Sequence, residues 1–280
     1  MDNLSSYDTS KRHPGDVIDG RYTLFKDLHG VWSATDTISK EIVAIKFYRS
    51  EEVVPDWEHY AKTLLDLQHP NLVKVLSFGI WQGHPYIVME YFEEGNAFNL
   101  VGKLHPCFED ERLIWHFIHD VASGLTYLHS KNLFHQDIKL NNILMNKGHF
   151  VIADYETLCH MEFLTTLWPT VPNFFCPGLH PLKEMDFWPM VYSAYELASG
   201  ESAFLHRKLN IRPLPPQWSE ALRSFLQEDS GYPTLYEKEF VLLAEEILRS
   251  DSLEVFYSSN EPNLSTNKAL FNVRKFAAKT

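Results

Sequence analysis

Between residues 17 and 92, apolar residues fall in short runs bounded by polar or turn-forming segments, the pattern of strands. Ile42-Val43-Ala44-Ile45 and Tyr86-Ile87-Val88-Met89 are the clearest of these runs. One helix is predicted between them, from Asp56 to Leu67: Trp57, Tyr60, Ala61, Leu64 and Leu65 keep the helical period, and His69-Pro70-Asn71 ends it. After Glu93-Glu94-Gly95-Asn96 the pattern changes to long helices. Over 110–130, Ile114, Phe117, Ile118, Val121, Leu125 and Leu128 form one stripe, a buried helix face. Two strand-like pieces follow at 143–145 and 150–153, then a loop rich in Thr, Pro and aromatics over 157–185. Further helices are predicted near 187–199, 217–227 and 236–249. The chain thus reads as an α+β protein in two lobes. A flexible lead-in (1–16) precedes a small β-rich lobe with one helix (17–92), a larger and mainly helical lobe (93–257) and a polar C-terminal tail (258–280), with a hinge at 91–96.

Composition narrows the class. Of 280 residues, 45% are hydrophobic and 14% aromatic, enough for a sizeable core and too apolar for a disordered chain. A net charge of −12 disfavours nucleic acid or an anionic membrane as the main partner. Cys107, Cys159 and Cys176 are scattered and odd in number, so neither a disulfide framework nor a disulfide-linked partner is expected. The 14 histidines show no metal-binding spacing such as HExxH. The N-terminus lacks a basic-then-apolar signal pattern, and no apolar run approaches the roughly 20 residues needed to span a bilayer. The expectation is a reduced, soluble, cytoplasmic protein.

The chemistry concentrates in three places. His135-Gln136-Asp137-Ile138-Lys139-Leu140-Asn141-Asn142 joins the long helix to a strand-like piece, Ala153-Asp154-Tyr155-Glu156 closes the next, and Val43-Ala44-Ile45-Lys46 ends an early strand with a lysine. In this order the set resembles the protein kinase superfamily: the strand lysine of VAIK, the catalytic loop HxDxKxxN and the metal-binding aspartate of the DFG position. His69-Pro70-Asn71, the hinge-like Met89-Glu90-Tyr91 and Asp186-Phe187-Trp188 extend the resemblance over roughly 17–235. The resemblance implies a two-lobed kinase fold and a Ser/Thr protein kinase-like phosphotransferase that uses ATP and Mg²⁺ and acts on a protein substrate. Carried over position by position, it makes Lys46 the ligand of the α- and β-phosphates and Asp154 and Asn142 those of the metal. Asp137 becomes the residue that accepts or orients the nucleophile's proton, and Lys139 offsets charge at the γ-phosphate. Val31, Ala44 and Leu144 would sandwich the adenine, Met89 would be the gatekeeper, and backbone groups of Glu90, Tyr91 and Phe92 would bind the adenine edge. His135 is expected to pack beneath the loop rather than to take part in chemistry.

Several positions depart from the family pattern. Of the glycine-rich loop, Lys26-Asp27-Leu28-His29-Gly30-Val31-Trp32 keeps only Gly30 and looks shortened. Counting back from His69, Tyr60 stands where a helix glutamate should pair with Lys46, and Glu58 lies on the wrong side of the helix. Glu156 replaces the DFG glycine, Gln136 replaces an arginine that would read a phosphorylated loop, and Gly178 in Phe174-Phe175-Cys176-Pro177-Gly178 replaces the APE glutamate. Two alternatives to an active protein kinase follow. One is a pseudokinase working as a nucleotide-binding or scaffold module that docks a partner; the other, suggested by Asp154-Tyr155-Glu156, is a small-molecule kinase.

Overall fold

The computed structural model describes residues 12–48, 56–104, 108–160 and 184–200, together with 222, 241, 242, 244, 245, 248 and 249. The chain divides after Glu93 into two compact units. Segment 174–178, Cys107, Cys176, the tail 258–280 and the predicted helix at 217–227, apart from a helical Leu222, lie outside the described residues.

The first unit is a six-stranded antiparallel sheet with one helix. Its strands are β1 (Val17–Ile18), β2 (Tyr22–Asp27), β3 (Val31–Asp36), β4 (Ile42–Phe47), β5 (Val75–Trp81) and β6 (His84–Glu90), in the order β1-β2-β3-β4-β6-β5. Alternate residues Leu24, Ala34, Val43, Ile45 and Val88 meet on one face with Ile18, Trp32 and Tyr86 to form a core. The sheet curls: β2 and β5 are separated by three strands in the order, yet the Tyr22 hydroxyl lies 2.9 Å from Ser77 Oγ. Arg21 grips the buried Asp36 carboxylate through Nε and Nη2 at 3.0 and 2.7 Å, while Asp36 Oδ1 accepts the Ile38 amide 2.9 Å away, shaping the β3–β4 turn.

Close packing in this sheet leaves no room for a side chain at one glycine. Gly79 on β5 faces Tyr86 on β6, and a Cβ at residue 79 would stand 2.6 Å from the Tyr86 hydroxyl oxygen. Tyr86 cannot retreat, because it is 2% exposed and its hydroxyl donates to Asp19. Burial, helped by Asp19, pushes this phenol well above its ordinary value, so it remains a donor. Gly79→Ala is therefore expected to cost about 1–3 kcal/mol of stability, measured by denaturant unfolding, with no change in fold.

Helix α1 (Trp57–Leu65) starts where the Asp56 carboxylate accepts the His59 amide at 3.0 Å. It buries Trp57, Ala61 and Leu64. It ends before the predicted His69-Pro70 stop, since the Gln68 side chain donates to the Leu65 carbonyl and closes the last turn at 2.9 Å.

The second unit is built on helix α2 (Phe108–Ser130), whose predicted stripe from Ile114 to Leu128 is fully buried. The hairpin β8 (Ile143–Asn146)/β9 (His149–Ile152) packs on α2 through Phe117 against Phe150, ring centroids 5.1 Å apart. Asp120, a buried carboxylate on α2, takes the Phe150 amide at 2.9 Å and fastens β9 to the helix. Helix α3 (Glu184–Ser199), three residues longer at its start than predicted, also packs on α2. Among the described residues of the loop expected from 157, β10 (Cys159–His160) pairs with β7 (Leu133–Phe134). The described residues of 241–249 are helical, within the span predicted there. Among the described residues no helix is long and apolar enough to cross a membrane.

Candidate active site

In the first unit, strand register gathers the candidate nucleotide residues. Val31 pairs with Lys46 across β3–β4, and Ala44 pairs with Met89 across β4–β6. Cross-strand partners share a face and Ala44 and Lys46 are two residues apart, so Val31, Ala44, Lys46 and Met89 lie on one side of the sheet. Glu90 ends β6, and its amide donates to Lys74 O at 3.1 Å. Tyr91 and Phe92 follow as half-buried residues outside the strand.

The same unit shows what replaces the missing family features. The β2–β3 connection is a two-residue hairpin turn of His29 and Gly30, with φ of +63° and +97°. Two amides are engaged at this turn: Leu28 donates to Val31 O at 2.7 Å, and Gly30 to Asp27 Oδ1 at 2.9 Å. On α1, Glu58 pairs with Lys62 at 2.7 Å, and Tyr60 belongs to an aromatic set with Tyr48 and Trp57. The Lys46 ammonium stands 6.0 Å from the centroid of the Tyr48 ring, near the outer limit of a cation–π contact.

In the second unit a buried carboxylate organises the loop that carries the HxDxKxxN residues. Asp186, fully buried on the first turn of α3, accepts the His135 amide at 2.8 Å, the Gln136 amide at 2.6 Å and His129 Nε2 at 2.8 Å. Although burial works to raise it, the His129 hydrogen bond and its neighbours hold this carboxyl below its ordinary value. Gln136 takes a left-handed φ of +64°, which turns the chain so that Asp137 emerges from the anchored segment.

Asp137 is the hub of the loop. Its Oδ2 accepts Lys139 Nζ at 2.6 Å and Asn142 Nδ2 at 2.8 Å; Asn142 Nδ2 also reaches the Asp137 carbonyl at 2.9 Å. Among the described residues no hydrogen bond reaches the other oxygen, Oδ1, and the Asp137 side chain is 34% exposed. With the Asn142 amide nitrogen committed twice, its carbonyl oxygen is the atom left to meet a ligand. Leu144 on β8 is half-buried opposite Val151. Asp154 sits just beyond β9 with a left-handed φ of +67°, and its Oδ1 lies 3.4 Å from the Glu156 amide nitrogen.

His135, fully buried, ties the two segments together. Its Nε2 is 3.0 Å from the Ala153 carbonyl and its Nδ1 is 3.3 Å from the Asp137 amide. A carbonyl needs a donor and an amide needs an acceptor, so the ring is the neutral tautomer with its proton on Nε2. Burial agrees, depressing its pKa below the ordinary 6.5. As pH falls through 6.5 the unfolded chain takes up a proton on this residue and the folded chain does not. Stability therefore drops on acidification between 6.5 and the lower folded value. His116, depressed by burial, acts with the same sign; His119, raised by its hydrogen bond to Asp120, acts with the opposite one. Comparing wild type with His135→Phe isolates the contribution: the melting temperature of the variant is expected to be lower at pH 7 and to fall less steeply toward about pH 5.

Each predicted site residue thus has a place: Val31, Ala44, Lys46, Met89, Glu90, Tyr91 and Phe92 in the first unit, Asp137, Lys139, Asn142, Leu144 and Asp154 in the second. Sequence reasoning placed Asp186 at the start of a helix but missed its hold on the loop; an aspartate inside an apolar helix was the available signal. Thr157, which donates to the His135 carbonyl at 2.6 Å, carried no signal at all.

The model of the protein kinase domain family matches residues 29–254. The chain belongs to the protein kinase family, with the family's two-lobed α+β fold. A probable serine/threonine-protein kinase of Dictyostelium discoideum is 30% identical over 66% of this chain and 15% of its own length. A serine/threonine-protein kinase of Candida glabrata is 30% identical over 63% of the chain and 20% of its own length. Mouse Aurora kinase B is 26% identical over 73% of the chain and 59% of its own length. The chain therefore spans less than two thirds of each of these relatives.

Proposed function

We propose that the chain moves the γ-phosphoryl group of Mg²⁺-ATP to Ser or Thr hydroxyls of protein substrates in the cytoplasm. The observation that carries this reading is the Asp137 carboxylate, held on Oδ2 by Lys139 and Asn142 at 2.6 and 2.8 Å. Asp137 takes the proton of the acceptor hydroxyl, and the bonds from Lys139 and Asn142 set its orientation. Lys139, 43% exposed, is long enough to exchange Asp137 for an incoming phosphate and offset its charge.

The donor set fits Mg²⁺. Asp154 and the Asn142 carbonyl are hard oxygen donors, and the engaged Asn142 nitrogen leaves that carbonyl to serve. Among the described residues no cluster of three or more His, Cys, Asp or Glu side chains is arranged to hold a metal by itself. Phosphate oxygens and water would complete the shell, as Mg²⁺ usually requires. When bound, Mg²⁺-ATP supplies the transferable group and much of the charge neutralisation. By the resemblance of the motifs, Lys46 would hold the α- and β-phosphates, and Val31, Ala44, Met89 and Leu144 would each contact the adenine. The Glu90 amide is committed to Lys74 O, so the adenine edge is left to the Glu90 carbonyl and the backbone of Tyr91 and Phe92.

The closed β2–β3 turn favours a second reading, in which the protein binds nucleotide and docks a partner without transfer: the Leu28 and Gly30 amides serve the turn itself, where a lid would offer them to phosphate. One pair of measurements separates the two. Saturating Mg²⁺-ATP, at about 100 times its Kd, should stabilise the wild type by about 2.7 kcal/mol, and Asp154→Asn should abolish the shift. Labelled γ-phosphate should then appear on protein acceptors. A shift without transfer, also negative against a panel of small-molecule acceptors, selects the scaffold reading; no shift overturns both.

A further inference from the structure

We propose that Thr157 is a positioning residue for Asp154, and that with Gln136 it sets how tightly this chain holds a metal–nucleotide complex. The inference rests on the kinase reading above. Asp154 lies in a short loop whose two ends are fastened to the same buried residue. At one end, the Ala153 carbonyl accepts His135 Nε2–H at 3.0 Å. At the other, the Thr157 hydroxyl donates to the His135 carbonyl at 2.6 Å, and the Gln136 side-chain amide donates to the Thr157 carbonyl at 3.0 Å. His135 cannot follow the loop if it drifts: it is fully buried, and its own amide is held by Asp186 at 2.8 Å.

Between these fastenings Asp154 occupies a left-handed backbone conformation (φ +67°) that a non-glycine residue leaves readily when unconstrained. Loss of the Thr157 bond removes one hold on this loop, beside the buried Tyr155 and the β10–β7 pairing, and lets the Asp154 carboxylate shift relative to the Asn142 carbonyl assigned to the same metal. Asn142 itself stays in place, because the Ala153 amide donates to Asn142 O at 2.8 Å on the other side of the released point. The fastening consists of a hydroxyl, an amide and two carbonyls, all neutral, so it holds without a charged or phosphorylated group.

The test uses the full chain and three variants, Thr157→Val, Thr157→Ser and Gln136→Leu. Calorimetric titration measures Mg²⁺-ATP and metal-free ATP separately, and melting temperature monitors the fold. Thr157→Val keeps the side-chain shape and loses the donor; it should weaken Mg²⁺-ATP roughly tenfold or more, as outer-shell changes do, and leave metal-free ATP within about twofold. Thr157→Ser should restore wild-type affinity, and Gln136→Leu should weaken Mg²⁺-ATP in the same selective way. Unchanged Mg²⁺-ATP affinity in Thr157→Val, equal weakening of both ligands, or a serine variant as weak as the valine one overturns the assignment while leaving the kinase reading intact. If Thr157→Val fails to fold, Gln136→Leu decides by the same criterion. A wild type that binds neither ligand overturns the kinase reading, and this inference with it.

Discussion

Asp186→Ala is expected to lower unfolding stability by about 3–5 kcal/mol and to abolish phosphoryl transfer together with it. The carboxylate is fully buried and accepts three hydrogen bonds, from the His135 and Gln136 amides and from His129. Alanine leaves two backbone donors and an imidazole without an acceptor in a place water does not reach, and each such orphan costs about 1–3 kcal/mol. The cavity adds to the loss. The chemical consequence follows from position: with residues 135 and 136 unanchored, the left-handed Gln136 loses its support and Asp137 its fixed origin. Asp186→Asn keeps the shape and exchanges one accepting oxygen for a donating NH₂ group, so it should fall between alanine and wild type. Denaturant unfolding and amide hydrogen exchange at 135 and 136 check this; an alanine variant with wild-type stability would show that α3 does not anchor the loop.

Asp137→Asn should behave oppositely, losing transfer by roughly 10²- to 10⁴-fold while fold and nucleotide binding persist. Asparagine matches aspartate in shape and still offers Oδ1 to the Lys139 or Asn142 donors, which now bond Oδ2 at 2.6 and 2.8 Å. What disappears is the ability to take a proton. The side chain is 34% exposed, so the exchange creates no buried orphan. No nucleotide contact is assigned to it, so the melting shift with Mg²⁺-ATP should survive in the variant. A transfer rate within about tenfold of wild type would exclude Asp137 as the base. The two substitutions thus separate a residue that holds the loop from one that acts at the reacting atoms.

Much of this architecture is written locally. The α2 stripe, the β4 and β6 runs and the β8 and β9 pieces each repeat an apolar period over consecutive residues, and the chain folds them as that period dictates. Element ends are less legible. The α1 terminus depends on the Gln68 side chain reaching back to Leu65, a choice that the nearby His69-Pro70 obscures. Strand β10 is two residues long and exists because Leu133–Phe134 lies beside it. The loop motif is legible because Asp137, Lys139 and Asn142 are neighbours in sequence and their mutual bonds span at most five residues. Tyr60 and Glu58 were readable as departures, but the Tyr48–Trp57–Tyr60 aromatic set depends on β4 and α1 meeting.

The order of motifs by itself determined the family and the alternation of a β-rich and a helical lobe, and it named the side chains proposed to carry chemistry, because those readings reside in residue type and short spacing. The tertiary structure decided how the reactive loop is held. Its fastenings join residues far apart in the chain: His135 and Gln136 to Asp186 across 51 and 50 positions, Thr157 to His135 across 22, Phe150 to Asp120 across 30. A hydrogen bond needs its partners within about 3 Å, and nothing in local periodicity reports which distant donor will arrive there. That depends on how the helices and hairpins pack, because only packing fixes the distances between them.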